Sequence, residues 1–178
     1  FAVQRNSGER YALRIHQADS RTDRQVQSEL DFIEHLSGKG ILTPEVIHTT
    51  CNRSMVVVTH PDVPEPRQCD LFGWIEGEPI RRIRETPVLT VAELEAGYEE
   101  AGQMLAKIYN ASERWQPPPG FDRPVWDEEG IYGRKALLGD YRAVTVATDA
   151  QRQLMEEVAA QLTRDLQVFG KTPDRYGL

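Results

Sequence analysis

The sequence has little that would indicate a membrane protein, a disulfide-stabilised protein or a nucleic-acid binder. Its longest uninterrupted apolar run is MVVV at residues 55–58, whereas a membrane span needs about 18 apolar residues or more. The two cysteines, Cys51 and Cys69, do not have the spacing of a disulfide framework or a zinc site, so we expect reduced thiols and a cytoplasmic location. The 178 residues include 21 Lys and Arg against 28 Asp and Glu, a net charge of −7. Such a chain lacks the basic surplus with which proteins bind nucleic acids.

Several motifs of known chemistry are also missing. There is no GxSxG and no GxxxxGK[ST], which excludes a hydrolase nucleophile elbow and a P-loop. The glycines at Gly38 and Gly40 follow a predicted helix and are typical of a helix C-cap rather than a dinucleotide loop. No metal site is predicted, because the histidines lack metal-binding spacing: they are His16, His35, His48 and His60.

The first 76 residues are predicted to form a small sheet with one inserted helix. Residues 1–5 and 10–16 indicate a hairpin, and apolar residues at spacings of three and four predict a helix over 23–37. Further strands are expected over 44–48, 54–59 and 68–74, the last two joined by a connection containing Pro64 and Pro66.

Residues 77–178 are predicted to be mainly helical. Thr90 is the expected N-cap of a helix ending near residue 115, and a second long helix is expected over 149–169. A Pro-rich segment separates them, in which Trp115 and Trp126 are expected to be packing anchors. Acidic runs such as 127–129 are interpreted as solvated faces, the alternative being attraction of a cationic substrate. The predicted fold class is α+β, with a small antiparallel sheet lobe over 1–76 and a helical part over 77–178.

Two charged residues lie among apolar neighbours. Glu29 falls on the helical stripe that includes Val26 and Ile33, and Arg14 is flanked by Leu13 and Ile15 within a strand. Either charge buried alone would be costly, so we expect the two to form a bidentate ion pair. Such a pair could simply fix the packing of the strand and the helix, or it could hold a cation that points at the phosphates of a nucleotide.

Six segments resemble protein-kinase-like folds, and in particular the aminoglycoside-phosphotransferase-like kinases. YALRIH at 11–16 resembles the strand that carries the phosphate-directed cation, and QSELDFI at 27–33 is similar to the helix with its paired glutamate. The other segments are TPEVI at 43–47, LFGWIEGEPI at 71–80, AGQMLAKIY at 101–109 and GFDRPVWD at 120–127. They occur in the order expected for the family.

The resemblance implies a kinase that uses ATP and Mg²⁺ to phosphorylate a hydroxyl of a small metabolite or aminoglycoside-type acceptor. Ala12 would contact adenine, Arg14 the phosphates, and Glu29 would hold Arg14. The hinge, residues Trp74, Ile75 and Glu76, would bond the base through its backbone. It also implies a glycine-rich turn before the first residue, and the Asp base and metal ligands after the last. The chain is therefore interpreted as an incomplete kinase-like fold without a catalytic residue, inactive alone.

The sequence departs from the family pattern at two positions and leaves alternatives open. Position 14 is Arg where most kinases have Lys, and position 109 is Tyr where the family often has His. Trp74 could form a wall of the adenine site or be an aromatic residue packed between two lobes. Two alternative functions remain for the protein. It could be a pseudokinase or nucleotide-binding module without transfer activity, or a structural interaction domain whose resemblance to the family is accidental. The sequence predicts no oligomeric state.

Overall fold

A computed structural model describes residues 1–77 and 90–172. Its sheet is antiparallel throughout, with strand order β1-β2-β4-β3. The strands are β1 (Ala2–Gln4), β2 (Arg10–Ile15), β3 (Met55–His60) and β4 (Val63–Gly73). The predicted hairpin of β1 and β2 is confirmed, and its turn contains Gly8 at a φ of 93°, a conformation that glycine adopts without steric cost. Strand β2 therefore lies inside the sheet, between β1 and β4.

Two predictions about the strands are corrected by the structure. Pro64 and Pro66 belong to β4 rather than to a connection. Proline is tolerated there because β2 pairs only with residues 69–73 of β4. The first residues of β4 therefore have a free edge on the β2 side, where no backbone N–H is needed as a donor. The segment predicted as a strand over 44–48 forms a single bridge, Val46 with Phe72, beside β4.

The helix α1 (Asp23–Gly38) packs on one face of the sheet and forms the core with it. Thr22 caps α1, and the Gln25 side chain returns a bond to the cap residue, so two backbone N–H groups at this end are satisfied. Val26 and Leu30 are fully buried. They pack with Val46 and Phe72, and with the partly buried Ala12, Ile33 and Met55. The predicted helix over 23–37 is confirmed.

The remaining described residues are mainly helical, as predicted. They form α2 (Val91–Ser112), α3 (Glu128–Tyr132), a short 3-10 helix (Tyr141–Ala143) and α4 (Asp149–Phe169). Thr90 caps α2 as predicted, and Thr148 caps α4. The chain divides into two compact units, Phe1–Asp122 and Arg123–Leu178. Within the described ranges, no helix combines the length and apolar character needed to cross a bilayer.

Candidate functional site

Arg14 and Glu29 meet where β2 faces α1. Alternation along β2 places Arg14 on the same face as Ala12, which packs against the core beneath α1. Glu29 lies three residues after the fully buried Val26, on the side of α1 that approaches the sheet. Arg14 Nη1 donates a hydrogen bond to Glu29 Oε1. The predicted contact between the two residues is confirmed, whereas the bidentate geometry predicted for it is made with another carboxylate.

A third residue, Asp70 on β4, completes the ion-pair cluster and was not predicted. Arg14 and Asp70 lie opposite each other in the register of β2 and β4. Arg14 Nε donates to Asp70 Oδ1 at 2.9 Å, and Arg14 Nη2 donates to Asp70 Oδ2 at 2.9 Å. The bidentate contact of Arg14 is thus with Asp70, whose side chain is 0% exposed. Sequence reasoning missed Asp70 although it gives the same signal as Arg14, a charged residue inside a predicted strand.

Two further side chains join this cluster. His16 Nε2 donates to Asp70 Oδ2 at 2.8 Å, and the His16 side chain is buried. Arg21 Nη1 donates to Glu29 Oε2 at 3.1 Å from the segment between β2 and α1. The Arg14 cluster is defined here as Arg14, Glu29, Asp70, His16 and Arg21. Among the described residues, each of its two carboxylates therefore binds at least two side chains.

The electrostatic environment keeps Arg14 charged. Burial by itself would lower the pKa of Arg14, but hydrogen bonds and charge attraction from Asp70 and Glu29 outweigh it and raise that pKa above its ordinary value. The guanidinium carbon also lies 5.0 Å from the centre of the Phe72 ring, a cation–π contact. Arg14 is thus a fixed cation whose side chain remains 35% exposed.

The helix that carries Glu29 is tied to the segment after α2. Trp115 packs against Phe32, His35 and Phe121, with ring centres 5.2, 4.9 and 5.0 Å away. His35 Nε2 also donates to the Ala111 carbonyl at 2.9 Å. These contacts hold α1, and with it Glu29, against the rest of its unit. Trp115 is a packing residue, as predicted.

A second contact reinforces this attachment of α1. The backbone N–H of Asp122 donates to the hydroxyl of the buried Ser28 at 2.9 Å. Ser28 directly precedes Glu29 in the sequence. The segment that follows α2 is therefore hydrogen-bonded to α1 at the residue next to Glu29.

The predicted hinge follows directly after β4. Ala12 lies opposite Phe72 in the register, and the chain leaves the sheet after Gly73, so residues 74–77 have no regular secondary structure. The Arg10 guanidinium covers one face of the Trp74 ring at 4.8 Å and forms an ion pair with Glu76. Ile75 is 47% exposed. The adenine roles of these residues stay predictions, and residues 78–80 of the hinge-like segment lie outside the described residues.

The Mg²⁺ implied by the resemblance has no ligand set in the part of the chain that the structure describes. No group of three or more His, Cys, Asp or Glu side chains within it is arranged to hold a metal ion. The Arg14 cluster does not fit a metal either, because Asp70 and Glu29 are already bonded to Arg14, His16 and Arg21. No metal-dependent step follows from these residues.

Comparisons with known proteins bear on the family and the fold of the chain. Residues 1–170 match the family model of the phosphotransferase enzyme family. The structure of a microcompartment-associated aminopropanol kinase is similar, with 27% identity and a TM-score of 0.77 over 95% of this chain and 49% of that one. An amicoumacin kinase in complex with AMP-PNP and Ca²⁺ is also similar, with 14% identity and a TM-score of 0.69 over 97% of this chain and 46% of that one.

These matches fix the fold class and the extent of the similarity. No curated protein matches the chain. The chain spans about half the length of the two solved structures. The similarity confirms the predicted α+β, protein-kinase-like fold class.

Proposed function

Because this chain belongs to the phosphotransferase enzyme family, we propose that the protein transfers the γ-phosphate of ATP to a hydroxyl group of a small molecule. The observation that carries the proposal is the Arg14 cluster in a kinase-like fold. Kinases catalyse phosphoryl transfer by positioning charged groups around the phosphates rather than by covalent chemistry. A cation held by carboxylates from a strand and a helix serves that purpose.

In this proposal each predicted residue has one task. Arg14 donates to the phosphates with the N–H groups that its carboxylate partners leave available, because only three of its five N–H groups donate to Asp70 and Glu29. Ala12 forms one wall of the adenine site. The backbone of residues 74–76 bonds the base. The Asp base and the Mg²⁺ ligands are predicted to follow the last residue of this chain.

The acceptor class is proposed from the relatives. A protein 27% identical is named an aminopropanol kinase, which supports a small amino alcohol as the first acceptor to be tested. Choline, homoserine and an aminoglycoside complete the panel, since all carry a hydroxyl group together with a positively charged nitrogen.

Nucleotide binding without transfer is the second candidate function. It is favoured by one observation, that two carboxylates already bind Arg14, as they would in an ion pair that serves the structure alone. A protein of this kind would bind ATP but release no ADP when an acceptor is added.

The experiment measures ADP release by the natural full-length protein with each acceptor, together with ATP binding by calorimetry. We expect turnover with at least one acceptor and a loss of roughly 10²-fold or more in kcat/KM for Arg14→Ala. Arg5→Ala is the matched control, because Arg5 is an exposed arginine whose ion pair with Glu9 lies on the surface. Near-normal activity of Arg14→Ala would contradict the phosphate role, and ATP binding without turnover would favour the second candidate.

A further inference from the structure

The carboxylate of Asp70 is the most enclosed partner of Arg14. Its side chain is 0% exposed, while that of Glu29 is 19% exposed. Asp70 accepts three bonds from Arg14, two from Nε at 2.9 and 3.1 Å and one from Nη2 at 2.9 Å. His16 Nε2 also donates to Oδ2 at 2.8 Å. Because both oxygens of the Asp70 carboxylate accept hydrogen bonds, it cannot rotate without breaking these bonds.

Glu29 holds Arg14 in a different way. It contacts Arg14 at Nη1 and also accepts from Arg21 at 3.1 Å. Glu29 stands on a helix, whereas Asp70 stands on the strand directly paired with the strand of Arg14. Backbone hydrogen bonds fix the distance between paired residues of neighbouring strands. Asp70 therefore sets the direction of the guanidinium more firmly than Glu29 does.

We propose that Asp70 is a positioning residue, which orients Arg14 so that the remaining N–H groups of Nη1 and Nη2 point together at a phosphate of the nucleotide. This inference rests on the proposed function, in which Arg14 contacts the phosphates. The Nε edge of the guanidinium is occupied by Asp70, and the guanidinium carbon lies over the ring of Phe72. One N–H on each Nη nitrogen is left by these bonds, the number that a bidentate phosphate contact requires.

The proposal distinguishes arginine from lysine at position 14. A lysine ammonium is a point charge without a planar fork, so it cannot bind Asp70 through two parallel bonds and still present two donors in a fixed direction. Asp70 thus accounts for the departure from the kinase pattern at this position.

The test compares ligands that differ only in their phosphates. Asp70→Asn is made in the natural full-length protein, and the dissociation constants of ATP and adenosine are measured by calorimetry. We expect ATP to bind roughly tenfold to hundredfold more weakly, because about this much affinity is lost when a hydrogen bond to a charged group is broken, while adenosine binds as in the wild type. A purely structural role would weaken both ligands alike, and that result would overturn the proposal.

A surface variant and a second variant of Asp70 serve as controls for this test. Asp62→Asn is the matched control, because Asp62 lies in the turn between β3 and β4 and its side chain is 90% exposed. Should Asp70→Asn not fold, Asp70→Glu keeps the buried charge but displaces the carboxylate by one methylene, and the same selective loss of ATP affinity is expected. Wild-type ATP affinity in a folded Asp70 variant would overturn the proposal.

A double variant identifies the route by which Asp70 acts. If Asp70 works through Arg14, Asp70→Asn adds no further loss of ATP affinity in the Arg14→Ala background. An additive loss would overturn the proposal. Failure of the proposed function gives a different result, since the wild type would then bind no ATP at all, or Arg14→Ala would bind ATP normally.

Discussion

The aromatic contacts around Trp115 lead to a quantitative prediction about stability. Trp115 makes three ring contacts, with Phe32, His35 and Phe121. Each such pair contributes about 0.5–1.5 kcal/mol beyond the burial of area. Replacing Trp115 by Ala removes all of them, so we expect the free energy of unfolding to fall by about 2–4 kcal/mol. The value lies below the upper end of about 5 kcal/mol found for fully buried aromatic residues, because Trp115 is only partly buried.

Urea denaturation of the natural full-length protein, followed by far-ultraviolet circular dichroism, measures this loss. Trp115→Phe is the matched variant, because it keeps a ring between Phe32 and Phe121 and should lose roughly half as much or less. ATP affinity should also fall in Trp115→Ala, since α1 carries Glu29.

A small effect would contradict the role of Trp115 in holding α1. If Trp115→Ala changes the free energy of unfolding by less than about 0.5 kcal/mol, the range of ordinary surface substitutions, then the ring contacts do not hold α1. An equal loss in Trp115→Phe and Trp115→Ala would also contradict it, because the effect would then not depend on a retained ring.

Two further predictions follow from protonation. Hydrogen bonds to Asn52 and Glu34 raise the pKa of His48. The stability that these bonds contribute is therefore complete below the ordinary pKa of about 6.5 and is lost as the pH rises through the raised pKa. The melting temperatures of the wild type and Glu34→Gln should differ more near about pH 5.5 than near about pH 8.5, and the opposite trend would refute this prediction. Burial, followed by the negative charge of a neighbouring carboxylate, raises the pKa of Cys69. Because the thiolate is the reactive form, iodoacetamide should modify the exposed Cys51 before Cys69 at about pH 8.5. Peptide mass spectrometry measures the order of modification.

The helices of the fold could be predicted from the sequence because their signals are local. The long helices were predicted within three residues at each end, since apolar spacing and capping residues lie inside or beside the element itself. The meeting of Arg14 and Glu29 could also be predicted, because the desolvation cost of a lone buried charge requires a partner.

Asp70 could have been noticed as a charged residue inside a predicted strand, but its contact with Arg14 could not be predicted, because that contact depends on the pairing of distant strands. Arg14 and Asp70 are separated by 56 residues, and a register shifted by one residue would have turned Asp70 to the opposite face of the sheet. The extent of β4 was missed for a similar reason, since Pro64 and Pro66 argue against a strand unless the edge position of its first residues is known.

The register of β2 and β4 also constrains how the sequence can vary. Arg14 and Asp70 face each other directly, and loss of one partner leaves a buried charge at a cost of about 3–5 kcal/mol. A lysine at position 14 could pair with the acid at position 70 but could not bind it through two parallel bonds. We therefore expect homologues to vary at the two positions together, so that the strand pair changes as one unit.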